Sequence, residues 1–181
     1  IGTAACYERP GRRWTFYEID PLVVSLARDQ GYFHYLSDCA PKARIVIGDG
    51  RLSLAAEIAA DAAAPKFDLL ILDAFSSDAI PLHLVTREAM AVYLSRLAIG
   101  GLLMFHISNR HIDLRPVLAD LAADAGIRAY VQRNHPRGRD KQHYGSSWVA
   151  MARTTKDLTP ILASAPDDSR WRPLVAQPGR R

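Results

Sequence analysis

The run Leu69-Leu70-Ile71-Leu72, followed by Asp73-Ala74-Phe75-Ser76-Ser77-Asp78, constrains the fold more than any other stretch of the chain. An apolar run bounded by a polar turn predicts a strand buried on both faces, as in a parallel sheet covered by helices. The end of such a strand is where open α/β sheets bind ligands, which makes Asp73 a candidate for chemistry. The plainer alternative is a carboxylate that caps the next helix or satisfies loop amides. Two upstream segments repeat the pattern: Trp14-Thr15-Phe16-Tyr17 runs into Glu18-Ile19-Asp20-Pro21, and Ala43-Arg44-Ile45-Val46-Ile47 runs into Gly48-Asp49-Gly50. Three such strand ends on one sheet edge would let the acids converge on a single ligand. An acid closing the second strand suits both hydroxyls of a ribose, so the pattern predicts a nucleoside site.

The opening Ile1-Gly2-Thr3-Ala4-Ala5 is like the close of a Gly-x-Gly turn leading from a first strand into a helix. With Glu18 one helix and one strand further on, the expectation is a dinucleotide-type fold whose first strand is truncated. A chain of 181 residues, 49% hydrophobic and 23% charged, is enough for one core and short for two. The expected division is a nucleoside-binding domain over 1–155 and a partly disordered extension over 156–181, rich in Pro, Asp, Ser and Arg.

The remaining organisation alternates strands and helices. Helices are expected over Pro21 to Arg28, Leu52 to Ala60, Leu114 to Ala125 and Leu158 to Ser164. A further one opens at Thr86-Arg87-Glu88, runs to Leu97 and stops at Gly100-Gly101. Strands are expected over Leu102 to Ile107, Ile127 to Gln132 and Ser147 to Arg153. The last two form a hairpin, which turns the final strand antiparallel.

A mostly parallel, doubly wound sheet finished by an antiparallel hairpin is the Rossmann-like layout of the S-adenosylmethionine-dependent transferases. More specifically, four stretches resemble the spermidine synthase-like, or aminopropyltransferase, branch of that superfamily, including bacterial proteins that fuse such a domain to a membrane transporter-like half. They are Trp14 to Pro21, Gly48-Asp49-Gly50-Arg51, Leu72 to Pro81, and Leu84-Val85-Thr86-Arg87-Glu88-Ala89. Ser146-Ser147-Trp148 is similar to that branch's Ser-Gly-x-Trp, and the resemblance runs from Gly2 to about Trp171.

The resemblance implies roles. Gly2 and Thr3 belong to the nucleoside-binding turn; Glu18, with Ile19 beside it, holds the ribose hydroxyls; Asp49 and Gly50 sit against the adenine. Asp73 matches the acid that orients and deprotonates the attacking amine, and Asp78 the second acid that grips a polyamine. Phe75, Ser76 and Tyr144 are the expected remainder of the acceptor pocket. The co-substrate implied is S-adenosylmethionine or its decarboxylated form, with no metal. Where the family carries Asp-Ser-Ser-Asp, this chain carries Asp73-Ala74-Phe75-Ser76-Ser77-Asp78, which displaces the second acid.

Displacement at a sulfonium carbon asks for these residue types, since the amine must be neutral, aligned and relieved of a proton. Three functions are therefore carried forward. The first is an aminopropyltransferase-like enzyme of polyamine biosynthesis that acts on a small-molecule amine. The second is a small-molecule methyltransferase, and the third is a non-catalytic ligand-binding domain of a membrane-transporter fusion.

Other residues are read more plainly. Ser76 and Ser77 lack a Gly-x-Ser-x-Gly elbow and an assigned histidine partner. His83, His106 and His111 lack metal-pair spacing, although His106, Ser108 and Asn109 close a strand on the ligand edge and are candidates to line the substrate pocket. Trp14 and Trp148 are expected in the core. The net charge is +4, and one basic loop spans Gln132 to Lys141 without aromatic platforms, so no nucleic-acid partner is expected. Cys6 and Cys39 show no metal spacing and no disulfide framework, which suits a reducing, cytoplasmic location. No run is long enough for direct membrane insertion. A homodimer is an additional expectation.

Overall fold

The computed structural model describes residues 3–7, 9–74, 80–108, 112–134, 145–164 and 170–176. They divide into two compact units, 1–64 and 65–181. The first holds strands β1 (Thr15–Glu18) and β2 (Arg44–Ile47) with helices α1 (Pro21–Arg28) and α2 (Gly50–Ala60). The second holds strands β3 (Phe67–Leu72), β4 (Leu97–His106), β5 (Arg128–Asn134), β6 (Ser146–Ala152) and β7 (Arg172–Pro173). Its helices are α3 (Arg87–Arg96), α4 (Arg115–Asp124) and α5 (Thr155–Ser164).

In the first unit β1 and β2 pair in parallel, Glu18 opposite Ile47. Each strand leads into a capped helix: the Asp20 carboxylate accepts from the Leu22 amide at the head of α1, and the Asp49 carboxylate accepts from the Leu52 amide at the head of α2. Gly48 makes the exit from β2 with φ +142°, a backbone conformation that L side chains rarely adopt, and its amide donates to the Glu18 carbonyl. From α2, Glu57 accepts from the Tyr17 hydroxyl at 2.9 Å and pairs with Arg44 at 2.8 Å, which ties the helix to both strands.

The core of this unit is small, built on Ala5, Ala27, Leu36 and Ala40 with Phe16 and Ile45 packed against them. Here the expectation for the cysteines is overturned. The 3₁₀ turn Thr3–Tyr7 packs on a π-helical turn, Tyr35–Cys39, and Cys6 and Cys39 are joined as a disulfide with their Cα atoms 4.6 Å apart. A separation of 33 residues gave no spacing signal; tertiary packing makes the pair. The bond also removes the cysteine argument for a reducing compartment.

In the second unit the sheet order is β3-β4-β6-β5-β7. Pairing is parallel between β3 and β4 and antiparallel at the β4-β6, β6-β5 and β5-β7 steps, so β3, β4 and β5 share one direction and β6 runs against them. The expected hairpin is present. The architecture is α/β with an open sheet that is mostly parallel by strand direction. Leu103, Phe105, Val149, Met151 and Leu158 are fully buried and centre the core.

Two expectations are corrected. β3 is not buried on both faces: Leu70 and Leu72 are buried, whereas Leu69 is 42% exposed, because only alternate residues of the strand face the core. The helix expected to stop at Gly100-Gly101 ends instead at Arg96, and β4 begins at once at Leu97. Phe67 pairs with Leu97 and Leu69 with Leu102, so two steps along β3 face five along β4, and Ile99 at the bulge is 99% exposed. Gly101 is required for packing: an added Cβ would meet Leu97 Cγ at 2.9 Å and the Phe67 carbonyl at 3.0 Å. Arg153 braces the bulge by donating to the carbonyls of Leu94 at 2.7 Å and Ala98 at 2.8 Å.

The expected extension contributes structure of its own. Within it Leu158 and Trp171 pack on Ala150 and Ala152. Among the described residues, no helix is long and apolar enough to cross a membrane.

Candidate functional site

Parallel pairing explains why acids gather within the first unit. Because Glu18 and Ile47 are register partners, the chain leaves both strands at one edge, and Glu18 lies beside the turn that carries Asp49 and Gly50. Glu18 is half-buried, and its Oε1 accepts from the Asp20 amide at 3.0 Å, which ties the carboxylate to the chain just after β1. Ile19 is exposed. Asp49 performs the capping task described above with Oδ1; a carboxylate has lone pairs for further donors. Gly50 opens α2, and a Cβ there would make only ordinary contact with Tyr17 at 3.5 Å. Thr3 begins the N-terminal 3₁₀ turn. Gly2, Phe75, Ser76, Asp78 and Tyr144 lie outside the described residues, as do Asn109, His111 and most of the basic loop.

In the second unit the register makes a different cluster. Leu72 pairs with Phe105 in parallel, so the next residues, Asp73 and His106, emerge side by side at the strand ends. His106 Nδ1 lies 2.7 Å from Asp73 Oδ1, and His106 Nε2 lies 2.8 Å from Ser108 Oγ. Ser108 Oγ also accepts from the Ser147 amide at 2.9 Å. Antiparallel pairing sets Trp148 opposite His106, and the indole stacks on the imidazole with centroids 4.5 Å apart and planes 17° from parallel. The Asp73 side chain is 55% exposed and that of His106 21%, so the carboxylate meets solvent while the imidazole is held from behind.

Among the described residues, the partner of the Asp73 carboxylate is the His106 imidazole, which it orients. Trp148 packs toward Ala150 and Ala152 as expected of a core residue, and it also forms the wall behind His106. The sequence placed His106 at the right edge but gave no sign of its bond to Asp73, which depends on a strand register. At the head of α4, the Arg115 side chain forks onto Asp113 at 2.8 and 2.6 Å. That hydrogen bonding outweighs the desolvation, holding the Asp113 carboxyl below its ordinary range and raising the Arg115 guanidinium. Among the described residues, no group of three or more His, Cys, Asp or Glu side chains is arranged to hold a metal.

No family model matches the chain. A curated polyamine aminopropyltransferase from Vibrio vulnificus is 32% identical over 95 residues, which is 52% of this chain and 29% of that protein. Three solved structures share the fold. Spermidine synthase from Thermotoga maritima aligns over 87% of this chain and 53% of its own, with TM-score 0.54 and 16% identity. A spermidine synthase in complex with the transition-state analogue AdoDATO aligns over 87% and 54%, with TM-score 0.56 and 18% identity. Human methyltransferase-like protein 13 in complex with SAH aligns over 81% and 66%, with TM-score 0.57 and 20% identity. The chain thus spans under a third of the curated relative and little more than half of the spermidine synthases. In fold it is similar to the spermidine synthase-like branch of the methyltransferases.

Proposed function

We propose that this chain is part of an aminopropyltransferase-like enzyme, a transferase that moves the aminopropyl group of decarboxylated S-adenosylmethionine to a di- or polyamine in polyamine biosynthesis. The observation that carries this reading is Asp73: an exposed carboxylate at a strand end, oriented by a histidine, in a fold shared with spermidine synthases. The local likeness to a curated aminopropyltransferase supports the same choice.

In this reading Gly2 and Thr3 form the nucleoside turn, Glu18 and Ile19 serve the ribose, and Asp49 and Gly50 the adenine. Asp73 receives the acceptor amine, with Asp78, Phe75, Ser76 and Tyr144 as its surroundings. The carboxylate aligns the nitrogen for in-line attack on the carbon beside sulfur and favours loss of its proton. The nitrogen lone pair then forms the new C–N bond as the C–S pair departs on sulfur, leaving a neutral thioether. The reading also takes in a homodimer, a cytoplasmic location and, as in the fused bacterial proteins, attachment to a transporter-like membrane half.

The test is calorimetric titration of the intact protein with S-adenosylmethionine and with its decarboxylated form. Burying a carboxylate without a partner costs several kcal/mol, and each 1.4 kcal/mol is about tenfold in affinity, so the two ligands should separate clearly. Tighter binding of the decarboxylated form, with turnover of a polyamine that Asp73→Asn abolishes and Glu18→Gln weakens through affinity, supports the proposal. Tighter binding of S-adenosylmethionine itself shifts the reading to methyl transfer, and binding of neither overturns both.

A further inference from the structure

The hydrogen bonds that join Asp73, His106, Ser108 and Ser147 have one self-consistent proton arrangement when Asp73 is ionised. An ionised carboxylate only accepts, so the proton between Asp73 Oδ1 and His106 sits on Nδ1. In the neutral imidazole Nε2 is then an acceptor. Ser108 Oγ already accepts from the Ser147 amide, and it has one proton to give, which goes to Nε2 at 2.8 Å. Every donor in the chain Ser147 N–H, Ser108 O–H, His106 Nδ1–H is matched to an acceptor. Of the two bonds to Asp73 and Ser108, protonating His106 reverses the one to Ser108: Nε2–H donates, and the hydroxyl proton is released to point elsewhere. The cluster thus has two arrangements that differ by one proton.

We propose that Asp73, His106 and Ser108 form a proton relay, with Ser108 Oγ as its port and the His106 imidazole as the group that stores the proton. This deepens the transferase reading and rests on it for the identity of the donor, an alkylammonium acceptor. The ammonium N–H bond breaks and its proton passes to Ser108 Oγ as the Ser108 O–H proton passes to His106 Nε2. The products are a neutral amine and an imidazolium paired with the Asp73 carboxylate. The amine lone pair then forms the C–N bond described above, and the imidazolium returns its proton to water by the same path. Asp73 on this account balances the imidazolium from the ring nitrogen opposite Ser108, while His106 takes the proton. Trp148 holds the ring plane and the Ser147 amide holds the port.

The test uses the intact protein and two independent readouts. First, nitrogen NMR of labelled histidine, without substrate, should show His106 as the Nδ1–H tautomer with Nε2 hydrogen-bonded, and Ser108→Ala should move the Nε2 resonance alone. A resting Nε2–H tautomer overturns the relay whatever the enzyme transfers. Second, with a polyamine acceptor, His106→Gln should lower kcat by about 10²-fold at nearly unchanged KM, the lower end of general-base effects. Ser108→Ala should lower kcat by a smaller factor and reduce the solvent deuterium isotope effect, which a merely structural serine would not alter.

Wild-type kcat and isotope effect in Ser108→Ala overturn the relay and leave the transferase reading standing. No turnover by the wild type, together with the expected tautomer, overturns the transferase reading and leaves the relay standing. Covalent labelling of Ser108 by a fluorophosphonate overturns the proton-only role, because the same three residue types in this connectivity also activate a nucleophile.

Discussion

The two units of this chain solve the stability problem in opposite ways. Residues 65–181 own all the largest fully buried side chains among the described residues, Tyr93, Phe105 and Leu118 among them, in layers on a five-stranded sheet. Residues 1–64 have a two-stranded sheet, half-buried strands, a core led by alanines, and exposed apolar side chains at Leu22, Tyr32, Phe33, Ile47 and Leu52. A unit of that size with so small a core is marginal by packing alone, and the disulfide adds to it. The difference teaches that one chain can draw on burial in one part and on a covalent cross-link in another, and that the two parts should fail under different insults.

The largest expected effect breaks the well-packed side. Phe105→Ala removes a fully buried ring that meets Tyr93 edge-on, and should cost about 3–5 kcal/mol, read as lost hydrogen-exchange protection through 65–181. If the protection lost lies in 1–64 instead, the contrast between the units is wrong. Next, Cys6→Ser with Cys39→Ser should cost about 2–4 kcal/mol, the range for loops of this order, and a reductant should reproduce it. Exchange should rise in 1–64, whereas Phe105→Ala should be insensitive to reductant.

The smallest effect sharpens the electrostatic side of the comparison. The Asp113 carboxyl is held low mainly by the Arg115 side chain, so the pair stabilises the folded state above the ordinary carboxyl pKa. That contribution is lost as pH falls through the depressed folded value. Asp113→Asn should flatten acid denaturation at that low-pH end and leave melting at neutral pH nearly unchanged, because the pair is largely exposed.

What could be read from the sequence followed from local pattern. The apolar runs of β3 and β4, the Pro-started α1 and the β5-β6 hairpin all announce themselves by composition and period. The start of β4 did not, because Gly100-Gly101 has the composition of a helix stop while serving as a bulge whose need arises from pairing with β3. The disulfide was equally hidden, since nothing between residues 6 and 39 encodes the packing of two short turns. In the candidate site, Glu18, Asp49 and Asp73 were legible as acids at strand ends. Their local tasks were not: the cap made by Asp49 is a helix feature, and the partnership of Asp73 with His106 follows from Leu72 pairing with Phe105, a contact between residues 33 apart. Strand ends can be read along a chain; which ends become neighbours is settled across it.

The stack of Trp148 on His106 also gives the chain an optical gauge. An indole face 4.5 Å from the imidazole would experience a cation–π field in the imidazolium state of the proposed relay and not in the neutral one. Of the other two tryptophans, Trp14 stacks on Phe16 and Trp171 packs against Ala150 and Ala152, so replacing both by Phe would leave an emission signal governed by Trp148. The protonation state of His106 would then be followed by light, in real time and without a label, as substrate arrives and leaves.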